Sequence, residues 1–289
     1  MKRSGWLPLG AGLAMLSACG PAGRQDTGVD GSAGRPDAPG DDTDAPPLEM
    51  ISRVYAHSGG TLYQLDSTTL TATPIGAMSG LGTQSLTDLA IDQNDMMVGI
   101  TFNKLVKVDA TTGQTTLIKD LSMSARGLTS LSFVPEDLSN PSSADILVSA
   151  NDDGVVFEID PLTGNATELG SFGTSSGDPV VSSGDLIGVR GFGIYATVNV
   201  GNEQNDYLAR IDPANGWKAT PIGAGTGFDN IFGLAYWDGK IYGFVDGGFM
   251  AATGKIIDID PATGAGTVLD EGDVRWFGAG VATDAPIIQ

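Results

Sequence analysis

The sequence predicts an all-β protein in which five four-stranded units form a closed β-propeller. Three observations lead to this prediction: a turn motif that recurs five times, alternating apolar segments on both sides of each copy, and incomplete units at the two ends of the repeat that complement each other. No stretch of twelve residues shows the 3.6-residue apolar period of an amphipathic helix. Residues 51–289 are therefore predicted to form one β-domain.

The recurring motif is a turn that begins with aspartate. In its fullest form it reads Asp-Pro-x-Thr-Gly, and its aspartates are 43, 51, 52 and 48 residues apart, a spacing typical of propeller blades. Such an aspartate accepts hydrogen bonds from backbone N–H groups two or three residues later, and glycine adopts the positive φ that ends the turn. We assign these aspartates to turns and not to catalysis: Asp66, Asp109, Asp160, Asp212 and Asp260.

Alternating segments before and after each turn predict a hairpin of half-buried strands. Pro74 and Pro221 lie in the second strand of their hairpins, which must be a sheet edge because proline donates no hydrogen bond to a neighbouring strand. Two more apolar segments precede each hairpin, and the first of them begins with small residues. We place this inner strand at residues 89–91, 128–131, 186–189 and 233–236.

The two ends of the repeat are incomplete in complementary ways. The first unit starts at residues 53–56 without an inner strand, whereas residues 276–282 follow the fifth hairpin and are similar to residues 232–235. We therefore expect the C-terminal segment to supply the missing inner strand of the first blade, because this closure removes the exposed edges of the ring. The ring then has five blades; the alternative of six requires a hidden unit.

The first nineteen residues have the pattern of an export signal. Lys2 and Arg3 precede an uncharged apolar stretch, residues 6–16, which is shorter than the about 20 residues that span a bilayer. The stretch ends in Leu16, Ser17, Ala18 and Cys19, which together resemble the lipobox of bacterial lipoproteins. The resemblance implies that residues 1–18 are a cleaved signal peptide and that Cys19 carries lipid. It also implies a place in the cell envelope, and Gly20 favours the outer membrane over the inner one.

Residues 19–50 and residues 51–289 differ in composition. The first segment is built from Gly, Pro, Asp, Ala and Thr, so it has too little apolar surface to fold and is expected to be a disordered tether. Residues 51–289 contain 28 acidic and 11 basic residues, a net charge of −17. This charge argues against a nucleic-acid partner and against contact with anionic lipid. We expect a monomeric propeller that reaches the membrane only through its lipid.

Few residues point to catalysis, and we assign no catalytic residue. The single histidine, His57, is expected in a solvated turn, and the chain has no Gly-x-Ser-x-Gly motif. One histidine and one lipidated cysteine also argue against zinc. A carboxylate pair in the channel is the alternative, since glycoside hydrolases work with two carboxyl groups. The candidates for such a pair are Asp88, Asp178 and Asp185, which lie near inner strands.

Ligand contacts are expected on the face where loops between the second and third strands meet the loops between blades. The acidic turn 151–154 offers oxygen atoms of the kind that Ca²⁺ prefers, which makes Asp152 and Asp153 a candidate calcium site, although such turns are common without metal. The aromatic residues on this face either bind ligand or pack between blades. The candidate ligand contacts are Asn103, Asp152, Asp153, Phe228, Asp229, Asn230, Asp246, Phe249 and Trp276.

The strand-Asp-Pro-x-Thr-Gly-strand pattern resembles bacterial extracytoplasmic propellers of the quinoprotein-like and YVTN-like kind, over about residues 51–285. The resemblance implies the fold and leaves the activity open. A cofactor-dependent dehydrogenase would follow from the quinoprotein likeness alone, but no tryptophan series has the spacing of the repeat, and we expect no cofactor other than the candidate Ca²⁺. The sequence favours a binding or scaffold module for a protein or a glycan, with a glycan hydrolase as the alternative.

Overall fold

The computed structural model describes residues 53–121, 127–248 and 250–287, which form five antiparallel sheets. The signal peptide, the lipobox with Cys19 and the tether lie outside the described residues, as does Phe249. No helix in the described ranges is long and apolar enough to cross a membrane. The predicted all-β propeller with five blades is confirmed.

The blades are numbered by the order of their turn motifs, and the strands β1 to β21 by their order in the chain. From the axis outwards, blade 1 contains β21 (Gly278–Val281), β1 (Val54–His57), β2 (Thr61–Asp66) and β3 (Thr71–Ala77). Blade 2 contains β4 (Asp88–Ile91), β5 (Met97–Thr101), β6 (Lys104–Val108) and β7 (Thr115–Asp120). Blade 3 contains β8 (Ser132–Pro135), β9 (Asp145–Ala150), β10 (Val155–Ile159) and β11 (Ala166–Ser171).

Blade 4 contains β13 (Asp178–Val189), β14 (Gly193–Val200), β15 (Tyr207–Asp212) and β16 (Lys218–Pro221), and a short strand β12 (Thr174–Ser175) pairs with the beginning of β13. Blade 5 contains β17 (Ile231–Trp237), β18 (Lys240–Asp246), β19 (Gly254–Ile259) and β20 (Gly266–Gly272). Pro74 and Pro221 lie in β3 and β16, the outermost strands of their blades, as predicted.

The ring closes through the C-terminal strand, which confirms the prediction from the repeat. Strand β21 pairs antiparallel with β1, so that Val54 lies opposite Val281 and His57 lies opposite Gly278. Inner strands come close together at the axis: a Cβ on Gly233 would lie 2.7 Å from the backbone nitrogen of Ala279. Only a residue without a side chain fits at that approach, which explains why small residues begin the inner strands.

The aspartate turns have the predicted hydrogen bonds. The carboxylate of Asp66 accepts from the backbone N–H groups of Thr68 and Thr69 at 2.8 and 3.0 Å. Such bonds stabilise the charged form and lower the pKa of Asp66, and the same holds for the turn aspartates Asp109, Asp160 and Asp260. In blade 2 the turn ends at Gly113 with φ of 75°, and a Cβ there would lie 2.8 Å from the carbonyl oxygen of Gly76 in blade 1. The turn glycine therefore also allows one blade to pack on the previous one.

Four outer strands contain a bulge at the same place, four residues before the turn aspartate on the partner strand. Each bulge leaves one apolar residue unpaired and packs it against an apolar core between blades. The alternating pattern of the sequence predicted the strands but not this shift in register. The unpaired residues are Ile75, Ile118, Leu169 and Leu269.

The inner strand of blade 3 begins later than predicted. The sequence pattern placed it at residues 128–131, whereas β8 starts at Ser132 and only an isolated bridge joins Leu128 to Asn151. Side chains replace the ladder here, since the Ser130 hydroxyl accepts from the N–H of Ala150 and a carboxylate oxygen of Asp88 accepts from the N–H of Leu131. Apolar periodicity cannot distinguish such a segment from a strand.

The segment after β21, residues 282–287, covers the axis on the face formed by the turns between first and second strands. The buried Thr283 donates its hydroxyl hydrogen to Asp145 of blade 3 at 2.8 Å, and its carbonyl accepts from the N–H of Arg190 in blade 4 at 2.9 Å. Contacts to blades 5 and 1 are made by Pro286 with Asp238 and by Asp284 with Arg53. This segment therefore contacts four of the five blades at this face of the ring.

Removal of residues 278–289 is expected to abolish cooperative unfolding and to cause aggregation, because β1 then becomes an exposed sheet edge in the interior of the ring. A peptide of residues 274–289 added in trans should restore a single transition in thermal unfolding followed by circular dichroism. The matched control lacks only residues 288 and 289 and should unfold like the intact chain. Cooperative unfolding of the long truncation without the peptide would contradict closure by β21.

Candidate ligand-binding site at the channel mouth

The channel mouth contains a pocket of about 550 Å³. It lies on the face predicted to bind ligand, where loops between blades meet the loops between second and third strands. All five blades or the loops before them contribute to its wall, so the pocket exists only in the closed ring. The lining residues are Thr83, Gln84, Ser85, Leu86, Thr87, Thr101, Phe102, Thr129, Ser183, Gly184, Phe232 and Phe277.

Two phenylalanines from neighbouring blades form one wall. Phe232 and Phe277 have ring centroids 6.4 Å apart and ring planes that differ by 20°. The guanidinium of Arg275 lies 5.2 Å from the centre of the Phe277 ring and makes two hydrogen bonds, of 2.7 and 2.6 Å, to the carboxylate of Asp246. This ion pair fixes the loop that carries Phe277. Phe102 lies at the rim and is 65% exposed.

Hydroxyl and amide groups line the other side of the pocket, and several of them are already engaged. The Thr101 hydroxyl donates to the side-chain oxygen of Gln84 at 2.9 Å, and the Thr129 hydroxyl donates to that of Ser182 at 2.9 Å. The Thr87 hydroxyl lies 3.3 Å from the carbonyl oxygen of Ile100. These bonds hold the wall in place and leave few polar groups free to meet a ligand.

A pair of carboxyl groups lies directly beneath the pocket floor. Thr87 and Gly184 line the pocket, and the residues that follow them, Asp88 and Asp185, are fully buried. The two carboxyl groups are within hydrogen-bonding reach of each other. Sequence reasoning placed Asp88 in the channel and Asp185 near it, and the structure brings the two together.

Each carboxyl group of this pair joins two blades. Asp88 accepts from the N–H of Leu89 at 2.8 Å and, with its other oxygen, from that of Leu131 in blade 3 at 2.7 Å. Asp185 accepts from Leu186 at 2.5 Å and from Leu234 in blade 5 at 2.6 Å. All four carboxyl oxygens therefore accept backbone hydrogen bonds, and the pair holds the inner strands of four blades at the axis.

Burial determines how the pair is protonated. Loss of water raises the pKa of Asp88 well above its ordinary value, and the nearby charge of Asp185 raises it further. Burial raises the pKa of Asp185 to about 8, against the effect of its hydrogen bond with Asp88. Two carboxylates this close cannot both ionise at low cost, so the pair retains a shared proton at neutral pH.

His57 lies at the same level of the channel. A Cβ on Gly278 would lie 2.5 Å from the His57 Nε2 and 2.6 Å from an oxygen of Asp88. The histidine is fully buried and its Nδ1 donates to the carbonyl oxygen of Ser58 at 2.9 Å, while Nε2 has no hydrogen-bond partner among the described residues. Burial lowers the pKa of His57 to about 4, so the ring is neutral. The prediction of a solvated turn residue is wrong, because strand β1 continues to His57 and β21 covers it.

Three of the predicted contact residues pack against the core or form an ion pair. Trp276 is buried and makes edge-to-face contacts with Tyr63 at 5.4 Å and Phe244 at 5.5 Å between blades 1 and 5. Phe228 is half-buried and packs against the same core. Asp246 is buried in its ion pair with Arg275. None of these three lines the pocket.

The other predicted contacts lie in loops outside the pocket lining. Asn103 follows Phe102 and its carbonyl accepts from the N–H of Leu121 at 2.8 Å. Asp229 is exposed and accepts from the N–H of Asn230, which has φ of 61°. Asp178, a candidate for the carboxylate pair and not for ligand contact, is the exposed first residue of strand β13. Phe249 lies outside the described residues.

The candidate calcium turn folds around its asparagine. The side-chain oxygen of Asn151 accepts from the N–H groups of Asp153 and Val155 at 3.2 and 2.8 Å, while Asp152 and Asp153 are exposed. In the described ranges, no three acidic, histidine or cysteine side chains lie close enough together to hold a metal ion. Two carboxylates on one turn do not supply the six to eight oxygen atoms that Ca²⁺ takes, so additional ligands would have to come from elsewhere.

Sequence reasoning did not identify the three phenylalanines of the pocket or the loop 83–87. One signal was present, because Phe232, near the start of the inner strand of blade 5, and Phe277, just before that of blade 1, occupy equivalent positions in the sequences Phe232-Gly233 and Phe277-Gly278. Equivalent positions in a propeller repeat lie at the same height around the axis. The similarity of the two sequences was used to predict a strand. It could also have predicted that both phenylalanine rings lie at the channel mouth.

No protein-family model matches the sequence, and no curated protein is detectably similar to it. Solved structures with a similar fold include three from Bacteroides. A protein of unknown function from Bacteroides thetaiotaomicron is 15% identical with a TM-score of 0.44, over 66% of this chain and 53% of that one. One from Bacteroides caccae is 8% identical with a TM-score of 0.45, over 78% and 97%. An auxiliary nutrient binding protein from Bacteroides ovatus is 12% identical with a TM-score of 0.46, over 83% and 64%.

The shared proton predicts a loss of stability as the pH rises. The folded state keeps a proton that the unfolded aspartate releases near its ordinary pKa of 3.8. The free energy of unfolding therefore falls as the pH rises from there through the raised folded pKa values of the pair, which are about 8 for Asp185 and well above the ordinary value for Asp88. His57 has the opposite effect, because burial lowers its pKa from 6.5. Its contribution makes the free energy of unfolding rise with pH, and this rise ends at pH 6.5. Between pH 6.5 and 8 we expect a decrease of about 1.4 kcal/mol per pH unit, measured by urea unfolding.

Two aspartate-to-asparagine variants test this assignment. Asp185→Asn should lower stability by about 1–3 kcal/mol at pH 6.5, because its NH₂ group replaces an oxygen that accepts a backbone N–H. It should also reduce the decrease between pH 6.5 and 8, because Asp185 no longer titrates and its charge no longer raises the pKa of Asp88, which burial still raises. Asp160→Asn, in an exposed turn, should keep the decrease. An unchanged decrease in Asp185→Asn would show that the pair does not share a proton.

Proposed function

We propose that the protein is a lipid-anchored binding module of the bacterial cell envelope, held at the outer membrane through Cys19, and that it binds its ligand in the channel-mouth pocket. The supporting observation is the pocket itself, which is closed from below by the C-terminal segment and the carboxyl pair, and lined at its rim by the exposed Phe102. A concave, largely preformed and mainly apolar cavity is the usual form of a ligand site.

The same carboxyl pair is what a glycan hydrolase in this channel would use, and its geometry does not fit that reaction. Retaining and inverting hydrolases keep their carboxyl groups about 5 Å or more apart and in contact with the sugar. Asp88 and Asp185 are close enough to share a proton, are fully buried, and accept four backbone hydrogen bonds. We therefore propose binding without catalysis.

The lipid anchor is tested by moving the protein out of the membrane. A chain with Cys19→Ala, exported by a signal that ordinary signal peptidase cleaves, should appear in the soluble fraction, whereas the native sequence should sediment with membranes. Mass spectrometry of the N-terminal peptide should find acyl chains on Cys19 only in the native sequence. Sedimentation of the Cys19→Ala chain with membranes would show that lipidation is not the anchor.

Binding at the mouth is tested with a variant that fills the pocket. Ser85 lines the pocket and is exposed, so Ser85→Trp adds a bulky side chain at the mouth without disturbing the core. Native mass spectrometry of the unlipidated mature chain, incubated with envelope extract, should show a ligand mass on the parent chain and none on Ser85→Trp. Ser142→Trp, on an exposed loop of the opposite face, is the matched control and should keep the ligand. The same ligand mass on Ser85→Trp would contradict binding at the mouth.

A further inference from the structure

The walls of the channel-mouth pocket are mainly carbon. Phe232 and Phe277 present adjoining ring faces, and Leu86, Phe102 and the methyl groups of the lining threonines complete the surface. An apolar surface of this kind is stabilised by covering it with another apolar surface, at about 25 cal/mol per Å² removed from water. The ring faces favour a ligand with a flat apolar part.

The described lining of the pocket offers no partner for a charged ligand. None of these residues is charged, and Arg275, next to Phe277, makes two hydrogen bonds to Asp246 and lies against the Phe277 ring. The net charge of −17 on residues 51–289 adds a negative potential that repels anions. A cation would find no carboxylate among the described lining residues, because Asp88 and Asp185 are fully buried below the floor and accept backbone hydrogen bonds, and burying a charge without a counter-charge is costly.

The pocket also has few hydrogen-bonding groups that are free to contact a ligand. Thr101, Thr129 and Thr87 use their hydroxyl hydrogens within the protein, and the Gln84 side-chain oxygen accepts from Thr101. The groups that remain are the side-chain NH₂ of Gln84 and the hydroxyls of Thr83 and Ser85 on one loop, and the hydroxyl of Ser183 on β13, which has no hydrogen-bond partner among the described residues. A saccharide carries a hydroxyl on nearly every carbon, and each one buried without a partner costs about 1–3 kcal/mol. A ligand with one or two polar groups avoids this cost.

We infer that the channel-mouth pocket takes a neutral, mainly apolar small molecule with a flat ring, whose one or two polar groups face the loop 83–85 or the hydroxyl of Ser183. This inference rests on the proposed function and narrows it, since it selects an apolar compound over the protein and glycan ligands that the sequence left open. The volume of about 550 Å³ fits one such molecule.

Three probes separate the ligand classes. N-phenyl-1-naphthylamine is neutral and flat, 8-anilino-1-naphthalenesulfonate carries the same rings with a negative charge, and maltose is neutral but covered with hydroxyls. The unlipidated mature chain, with Cys19→Ser, avoids partition of the probes into detergent. We expect one neutral naphthylamine to bind per chain in a fluorescence titration, the sulfonate to bind at least about tenfold more weakly, and maltose neither to bind in calorimetry nor to displace the dye.

Variants locate the bound dye. Phe277→Ala removes half of the aromatic wall and should weaken naphthylamine binding by about tenfold, and Ser85→Trp should abolish it. Phe192→Ala is the matched control: this half-buried ring stacks on Tyr236 at 4.2 Å in the turn between β13 and β14, on the opposite face, and its loss should leave binding unchanged.

The outcomes test the ligand class and the place of binding separately. Equal loss of binding in Phe192→Ala and Phe277→Ala, equal affinity for the sulfonate, or displacement of the dye by maltose would overturn the inference about ligand class. Absence of naphthylamine binding to the parent chain would overturn it as well. In all these cases, a ligand mass that Ser85→Trp loses and Ser142→Trp keeps would still support binding at the mouth, so the two proposals fail separately.

Discussion

The pairing of β21 with β1 is the constraint on which the other features depend. It gives blade 1 its inner strand, buries His57, and places Gly278 where the axis has no room for a side chain. The same segment carries Trp276 into the core between blades 1 and 5 and Phe277 into the pocket wall. The residues that follow cover the far end of the channel. Both the closed ring and the candidate site therefore depend on the pairing of β21 with β1.

The sequence predicted the features that repeat. The five aspartate turns have local hydrogen bonds that one blade specifies by itself, and proline identifies an edge strand by its chemistry alone. Ring closure was also predictable, because it follows from counting strands and needs no distances. The bulges around Ile75 and its equivalents escaped prediction, since a shift of one residue depends on how the next blade packs.

The candidate site was predicted less well because its members are brought together only by the distance between blades. Asp88 and Asp185 are 97 positions apart, and nothing local shows that inner strands approach closely enough for the two carboxyl groups to meet. His57 was expected in solvent because its neighbours, serine and glycine, are typical of a turn. Asp246 was recognised as a residue of the mouth, but its partner Arg275 removes it from the ligand and makes it a support for Phe277.

Closure by the last strand also affects folding during synthesis. Val54 and its partner Val281 are separated by nearly the whole domain, so β1 lacks its neighbour until almost all of the domain has been made. Contacts between such distant residues form slowly, and an open edge invites pairing with other chains in the meantime. In this topology the edge of an early strand therefore stays exposed while the rest of the polypeptide is synthesised.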